Sequence, residues 1–125
     1  MAAKSDIRSF RDLEIWVKGI ALVKTIYDLT RHFPKNELFG LTSQIQRAAV
    51  SIPSNIAEGH TRGHRAEFRQ FLFVALGSLA ELETQIIIAS ELCYLDSNIK
   101  AQIIEEMEVL GKQIRTLISK LTPSP

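Results

Sequence analysis

The chain has 125 residues, of which 46% are hydrophobic, and its formal net charge at pH 7 is +1. This length fits one domain with its own hydrophobic core, and the apolar content excludes an intrinsically disordered chain. The near-neutral formal net charge also argues against a strongly basic nucleic-acid binder. Basic residues nevertheless outnumber acidic ones in residues 1–80, and the reverse holds in residues 81–125, which hints at one basic surface.

Cysteine content and hydropathy give expectations about location. Cys93 is the single cysteine, so no disulfide can form within the chain, and a reducing compartment fits. The opening residues MAAKSDIRSF lack the apolar segment of a secretory signal. The longest apolar run, Phe71 to Leu76, is far shorter than the roughly 20 residues of a membrane span. We therefore expect a cytoplasmic protein with no membrane partner, with flexible tails at residues 1–9 and 122–125.

The first predicted helix runs from about Arg11 to His32, with Ser9 as its N-cap and Pro34 beyond its end. It carries two neighbouring apolar stripes. One stripe contains Leu13, Trp16, Ile20, Val23 and Tyr27, and the other contains Ile15, Leu22, Ile26, Leu29 and Phe33. Because one bundle core needs only one stripe, we expect part of this surface to contact another subunit, with Trp16, Ile15 and Leu22 as candidate interface residues. Deep burial within a single chain would explain the width nearly as well.

The second predicted helix begins after a short link, with Asn36 as its cap, and ends near Gly59. Apolar residues recur along it at steps of three and four: Leu41, Ile45, Ala48, Ala49, Ile52 and Ile56. Pro53 lies inside this pattern and has no N–H for the carbonyl of Ala49, which costs roughly 3 kcal/mol if nothing compensates. We therefore expect one helix with a kink at Pro53.

The third predicted helix spans about Arg65 to Cys93, and the fourth runs from a cap at Asp96 or Ser97 to Leu121. His64 stands at the third helix's cap position, where Ser or Thr would be stronger. The apolar steps of the fourth helix are typical of an antiparallel bundle. Cys93 stands where we expect glycine, which predicts a strained turn, and its apolar surroundings predict a buried structural thiol.

Three sequence strings carry a resemblance to a known family: DLEIW from Asp12, LTSQIQRAAVSIPSNIAEG from Leu41 and EFRQFLFVALGSLAELETQI from Glu67. They resemble the four-helix bundle family named after proteins encoded in 23S rRNA intervening sequences, over about residues 10–121. The resemblance implies an all-α, up-and-down antiparallel bundle that assembles into a ring-shaped homopentamer. It also implies kinship to the accessory variability proteins of diversity-generating retroelements, which partner a reverse transcriptase and bind nucleic acid. It implies no known reaction.

Up-and-down topology would gather the chain's N-terminus, the connection between the second and third helices and the C-terminus at one end. We call this the basic end, and its candidate nucleic-acid contacts are Arg62, Arg65, Arg69, Arg11 and Arg115. A ring would repeat these cations on one rim and raise avidity without any new contact. The alternative is that the arginines pair with Glu58 and Glu67 and are otherwise solvated.

Catalysis and metal binding find little support in the residue pattern. His60 and His64 are four residues apart, but Gly63 interrupts the helix between them and no convincing third ligand follows. No acidic residue stands three before a histidine, as a di-iron bundle requires. We therefore expect no catalytic residue, no metal and no cofactor.

Three function hypotheses remain. The first is a non-enzymatic oligomeric scaffold that contacts RNA, DNA or a nucleic-acid enzyme, and the second is a homo-oligomeric interaction module without a nucleic-acid role. The third, a small-molecule binding bundle or weak enzyme, has no residue set in its favour.

Overall fold

The structure, a computed structural model, describes residues 8–123 and is all-helical over that range. Its four α-helices are α1 (Glu14–Thr30), α2 (Leu41–Thr61), α3 (Arg65–Glu91) and α4 (Ser97–Leu121). Short 3-10 helices at Phe10–Asp12 and Lys35–Glu37 precede α1 and α2. The tails predicted at residues 1–9 and 122–125 fall largely outside the described residues.

The helices surround one hydrophobic core. Each helix packs against its neighbours in sequence, and α1 also packs against α4, whereas the backbones of the diagonal pairs α1/α3 and α2/α4 do not approach each other closely within the described chain. The largest fully buried side chains are Leu22, Ile26, Ile45, Ile52, Ile56, Leu72, Leu82, Ile86, Met107, Leu110 and Ile114. All four helices therefore contribute an apolar face, as the spacing predicts.

The start of α1 differs from the prediction. Ser9 does act as a cap, but for the short 3-10 helix, where its side chain accepts the N–H of Arg11 and Asp12 bonds back to it. Leu13 then adopts extended backbone, with φ −76° and ψ 127°, so α1 begins at Glu14 rather than Arg11. The capping box of Ser9 and Asp12 therefore caps the short 3-10 helix and not α1.

The bounds of α2 also differ from the prediction. Asn36 lies inside the 3-10 helix and does not cap α2; instead, Glu37 Oε1 accepts the Leu41 N–H at 3.3 Å. At the other end, α2 continues past Gly59 to Thr61. A Cβ on Gly59 would lie 2.6 Å from Phe71 Cβ, so glycine is needed here for the close approach of α2 and α3.

Pro53 lies within α2 and is buried against α1. A Cβ on Gly19 would lie 3.3 Å from Pro53 Cβ, so the missing side chain lets α1 and α2 approach at the proline. Nearby, Asn55 Nδ2 donates to the Ser51 carbonyl at 2.8 Å, and the hydroxyls of Ser51 and Ser78 lie 2.8 Å apart across α2 and α3. Small and polar residues therefore surround the position where the helix lacks a backbone donor.

The end of α3 confirms the predicted strain at Cys93. The Tyr94 N–H bonds to the Ala89 carbonyl and the Cys93 N–H to the Ser90 carbonyl, both at 2.9 Å, which is a Schellman motif. Cys93 takes the left-handed position of this motif with φ 64°, where glycine is favoured. The prediction of a buried thiol is wrong, because Cys93 is exposed.

The caps of α3 and α4 match the predictions. His64 precedes α3 without any side-chain cap bond, whereas the Asp96 carboxylate accepts the Ile99 N–H at 2.8 Å.

By length and composition α3 is apolar enough to cross a membrane, with a mean hydropathy of 1.6 over its most apolar 18 residues. Its inner side forms part of the core, since Leu72, Leu82 and Ile86 are fully buried.

Cys93→Gly should raise the free energy of unfolding by about 1 kcal/mol, because glycine adopts a positive φ without the steric cost of a Cβ. Urea unfolding monitored by circular dichroism measures this change. Cys93→Ala is the matched control, since it removes the thiol but keeps the Cβ. An equal gain in both variants would contradict backbone strain as the cause.

Ile114→Ala should lower the free energy of unfolding by about 2–5 kcal/mol, because it opens a cavity where the side chain is fully buried. Ser119→Ala, on the exposed side of α4, should change it by no more than about 0.5 kcal/mol. Similar losses from the two substitutions would show that Ile114 is not in the core.

Candidate nucleic-acid interface

Arg62 follows α2 directly and is held by two carboxylates. Its Nη2 lies 3.0 Å from Glu58 Oε2, and its Nη1 lies 3.4 Å from Glu67 Oε2. Its guanidinium carbon also lies 5.3 Å from the centroid of the Phe71 ring. These are surface ion pairs of modest strength, since all three charged side chains are about half exposed. The pairing with Glu58 and Glu67 that the sequence left open as an alternative is therefore confirmed for Arg62.

Arg65 and Arg69 lie in the first turns of α3. Arg65 Nη2 donates to the Lys120 carbonyl at 2.9 Å, which brings the start of α3 to the end of α4. That carbonyl is one of the last of α4 and has no helical partner, so a cation there is favourable. Arg69 is half-buried and forms no ion pair within residues 8–123. The geometry therefore leaves Arg69, and the remaining donors of Arg65, open to an external anion.

Arg11 lies in the first 3-10 helix, which packs against both α1 and α2. Its side chain is exposed, with the guanidinium carbon 5.3 Å from the centroid of the Phe10 ring. The Phe10 ring in turn meets Trp16 edge-on, with centroids 5.4 Å apart. An aromatic pair therefore supports Arg11 on the surface.

Asp12 compensates part of this positive charge. Its Oδ2 accepts the backbone N–H groups of Arg8 at 2.9 Å and Ser9 at 3.3 Å. These two hydrogen bonds lower the pKa of Asp12, and the charges of Arg8 and Arg11 lower it further. Asp12 is therefore ionised at neutral pH beside two arginines.

Arg115 is exposed and lies near the end of α4. One of its guanidinium nitrogens lies 3.5 Å from where a Cβ on Gly111 would stand, so the side chain turns back along α4. There it lines a pocket of about 280 Å³ together with Glu83 and Glu108. Arg115 and these two glutamates thus line the same groove between α3 and α4, and the role of Arg115 as a nucleic-acid contact stays a prediction.

A comparison with known protein families decides what the chain is. The model of the family described as 23S rRNA-intervening sequence protein matches residues 11–116. The chain belongs to this family. The match spans the segment from the first 3-10 helix to the last turns of α4, so all four helices belong to the family domain.

A solved structure supports the same fold for this 23S rRNA-intervening sequence family member. It is the crystal structure of a protein with unknown function from the S23 ribosomal protein family of Bacteroides thetaiotaomicron. The two share 23% sequence identity with a TM-score of 0.77, and the match covers 83% of this chain and 97% of the other. No curated protein matches the chain.

The interface residues predicted on the first helix are only partly at the surface of this family member. Ile15 and Leu22 are 5% and 1% exposed, because they pack in the chain's own core and so cannot reach a second subunit from where they lie. Trp16 is half-buried at the edge of that core. The exposed apolar residues of α1 are instead Val17, Ile20 and Tyr27.

No metal-binding cluster is present among the described side chains. Within residues 8–123 no three His, Cys, Asp or Glu side chains cluster in a way that could hold a metal ion. His60 packs its ring edge-on against Phe68, with centroids 5.4 Å apart. Glu106 has a raised pKa because it is partly buried, beside Lys18 and Val109 in the groove between α1 and α4. A single partly buried carboxylate of this kind does not form an acid/base pair.

Sequence reasoning missed a polar contact and a pocket away from the basic end. The Tyr94 hydroxyl donates to Glu37 Oε2 at 2.8 Å, which raises the pKa of Tyr94. Between α1 and α2, a pocket of about 450 Å³ is lined in part by Tyr27 and Phe33. Thr42, also in its lining, is buried and its Oγ1 has no hydrogen-bond partner. No local sequence signal could have found either feature, since both join residues distant in the chain.

Asp12→Asn should lower stability at neutral pH, because a neutral amide is a weaker acceptor for the N–H groups of Arg8 and Ser9. The folded pKa of Asp12 is depressed, so its stabilisation is fully present above the unfolded pKa of about 3.9 and is lost as pH falls through the folded value. Urea midpoints of both proteins should therefore differ at pH 7 and converge once the pH falls below the folded pKa of Asp12. A difference independent of pH would exclude the carboxylate charge as the cause.

Proposed function

We propose that this protein is a non-enzymatic, homo-oligomeric scaffold, a ring-shaped homopentamer whose basic end contacts RNA or DNA. The observation that carries the oligomer is the amount of apolar surface that a single chain leaves exposed. Phe73, Val74, Ile87 and Ile88 on α3 are 39–56% exposed, and Val17, Ile20 and Tyr27 on α1 are 37–52% exposed. Contiguous apolar surface of this kind marks an interaction site on a protein. The number five comes from the family resemblance.

An up-and-down, antiparallel arrangement is part of this proposal, and contacts between neighbouring helices support it. Between α2 and α3, Gly59 lies against Phe71, whereas the earlier Ser51 bonds to the later Ser78. Such pairs, with numbers rising on one helix as they fall on the next, are expected of antiparallel neighbours. We also propose that α2 bends at Pro53, which is supported by the missing donor and by the close contact with Gly19.

The contact with nucleic acid would use the cations that the chain itself does not neutralise. Arg69 has no ion pair within the described chain, and Arg65 is bound only through a neutral carbonyl. Guanidinium groups suit phosphate because their N–H donors match two of its oxygens. In a pentamer, five copies of this pair would face one side, so that individually weak contacts add up.

The second candidate is an interaction module with no nucleic-acid role, bound to a protein partner. The carboxylates that hold Arg62 and the position of Asp12 beside Arg11 favour it, because they reduce the net charge of the basic end. The family resemblance adds a nucleic-acid enzyme, such as a reverse transcriptase, as a possible protein partner. Salt dependence separates the two candidates.

Fluorescence-anisotropy titration of a structured RNA and of a DNA duplex tests the proposal. We expect micromolar affinity that weakens steeply with salt and falls roughly tenfold or more in Arg62/Arg65/Arg69→Ala, because phosphate contacts release counterions. Arg69→Ala should reproduce part of this loss without disturbing any described contact. Lys35/Lys100/Lys112→Ala changes the net charge equally, away from the basic end, and should bind like the wild type.

Three results would contradict the nucleic-acid part of the proposal. These are no binding at low salt, binding that is independent of salt, and equal losses in the two triple variants. The first would favour the second candidate, a protein-interaction module. A monomeric mass in light scattering would separately contradict the oligomer.

A further inference from the structure

The outer faces of α3 and α4 differ in polarity. On α4 the side turned away from the core is mostly polar, with Gln102, Glu105, Lys112, Thr116 and Ser119 exposed. We define the outer face of α3 by the residues at its centre, which are Phe73, Val74, Gly77, Ala80, Thr84, Ile87 and Ile88, and all of them are exposed. A helix that is apolar on every side is normally buried on every side. The outer face of α3 therefore lacks its packing partner within one chain.

Gly77, at the middle of this face, has no role in the packing of its own chain. Cβ atoms built on the helical glycines Gly19, Gly59 and Gly111 would come within 3.3 Å of neighbouring side chains, so each of these glycines allows close packing within the chain. A Cβ on Gly77 would meet nothing within 4 Å. An exposed glycine in a helix interior costs about 1 kcal/mol relative to alanine, and a close approach of another backbone is a common reason for it.

A second apolar surface lies on the opposite side of the bundle. We define the outer face of α1 by Val17, Ile20 and Tyr27, all exposed, together with the half-buried Val23. It continues into the pocket of about 450 Å³ beside Tyr27. Because α1 and α3 lie diagonally in the bundle, these two faces point in opposite directions. A two-fold dimer buries one patch against itself and would leave the other exposed, whereas a head-to-tail contact uses both.

Charge favours the same pairing of unlike faces. The outer face of α3 is flanked by Glu81 and Glu91, and neither forms an ion pair within the described part of the chain. The outer face of α1 carries Lys24, which is likewise unpaired there, and Arg31, which meets Asp28 at 3.4 Å on the surface. Packing two α3 faces together would oppose like charges, whereas packing α3 on α1 would oppose unlike ones.

We propose that the outer face of α3 in one copy packs on the outer face of α1 in the next copy, with Gly77 at the closest approach of the two helices. This inference rests on the proposed oligomer and names its interface. The contact is head-to-tail, so every copy both offers and receives a face, and a ring closes when the rotation between copies allows it. The polar outer face of α4 stays in solvent.

Two substitutions test the two faces of this interface separately. Each replaces an exposed residue, so a single folded chain has room for the new side chain. Gly77→Leu blocks the α3 face, where the space around Gly77 is open in a single chain. Val17→Glu blocks the α1 face at a side chain that is 52% exposed. Ala101→Leu on α4 is the control for adding apolar surface to an exposed helix position. Circular dichroism and thermal unfolding establish that each variant is folded.

Sedimentation equilibrium over a wide concentration range gives the readout. We expect the wild type and Ala101→Leu to assemble, and each blocking variant to associate roughly tenfold or more weakly, as one overpacked or charged contact would cause. An equimolar mixture of the two blocking variants should form a 1:1 heterodimer and nothing larger, because it retains one intact α3 face and one intact α1 face. Gly77→Ala should weaken assembly while raising the helix content of the dissociated chain.

Each other outcome overturns a defined part of the argument. A Val17→Glu variant that still dimerises would show an α3-on-α3 contact. Folded blocking variants that assemble like the wild type, or a mixture that forms no heterodimer, would exclude this pair of faces while leaving the oligomer intact. A monomeric wild type would remove the proposed oligomer itself, and its co-sedimentation with phosphatidylcholine vesicles would show that lipid covers α3.

Discussion

The close packing of α2 between α1 and α3 is the constraint on which the rest of the structure depends. Two glycines make it possible, since Gly19 faces Pro53 and Gly59 faces Phe71, and a side chain at either position would press on its neighbour. A half-buried hydrogen bond between Ser51 and Ser78 joins α2 to α3 between these points. Once three helices are aligned in this way, α4 closes the bundle through Gly111 and Ile114. This alignment of the helices fixes which side of each helix faces the core and which faces outward.

That alignment separates the surface into regions of different polarity. It brings the start of α3 to the end of α4, where Arg65 meets a terminal carbonyl. It also leaves apolar residues on the outer sides of α1 and α3, which a single chain cannot bury. Family membership is consistent with this division but names no reaction. The proposed scaffold therefore rests on these surfaces.

The fold could be predicted from the sequence better than the site. The bounds of α3 and α4 follow from long apolar repeats and the Asp96 cap, and the positive φ of Cys93 follows from its place in the turn. On the first helix the sequence shows two apolar stripes but not which one faces inward, and for this reason the prediction that Ile15 and Leu22 contact another subunit is wrong. Ion pairs between residues four or five apart, such as Arg62 with Glu58 and Glu67, can be predicted from the local sequence. The orientations of Arg65 and Arg115 depend on helix packing, which no local pattern contains.

Glu37 links two connections that lie far apart in the sequence. One of its oxygens accepts the first N–H of α2, and the other accepts the hydroxyl of Tyr94 in the turn before α4. Opening of either connection therefore removes a hydrogen bond from both, so the start of α2 and the turn between α3 and α4 should exchange their amide hydrogens as one cooperative unit. Surface connections are usually mobile and independent of one another. Here a single carboxylate couples two of them, so they share one local unfolding equilibrium.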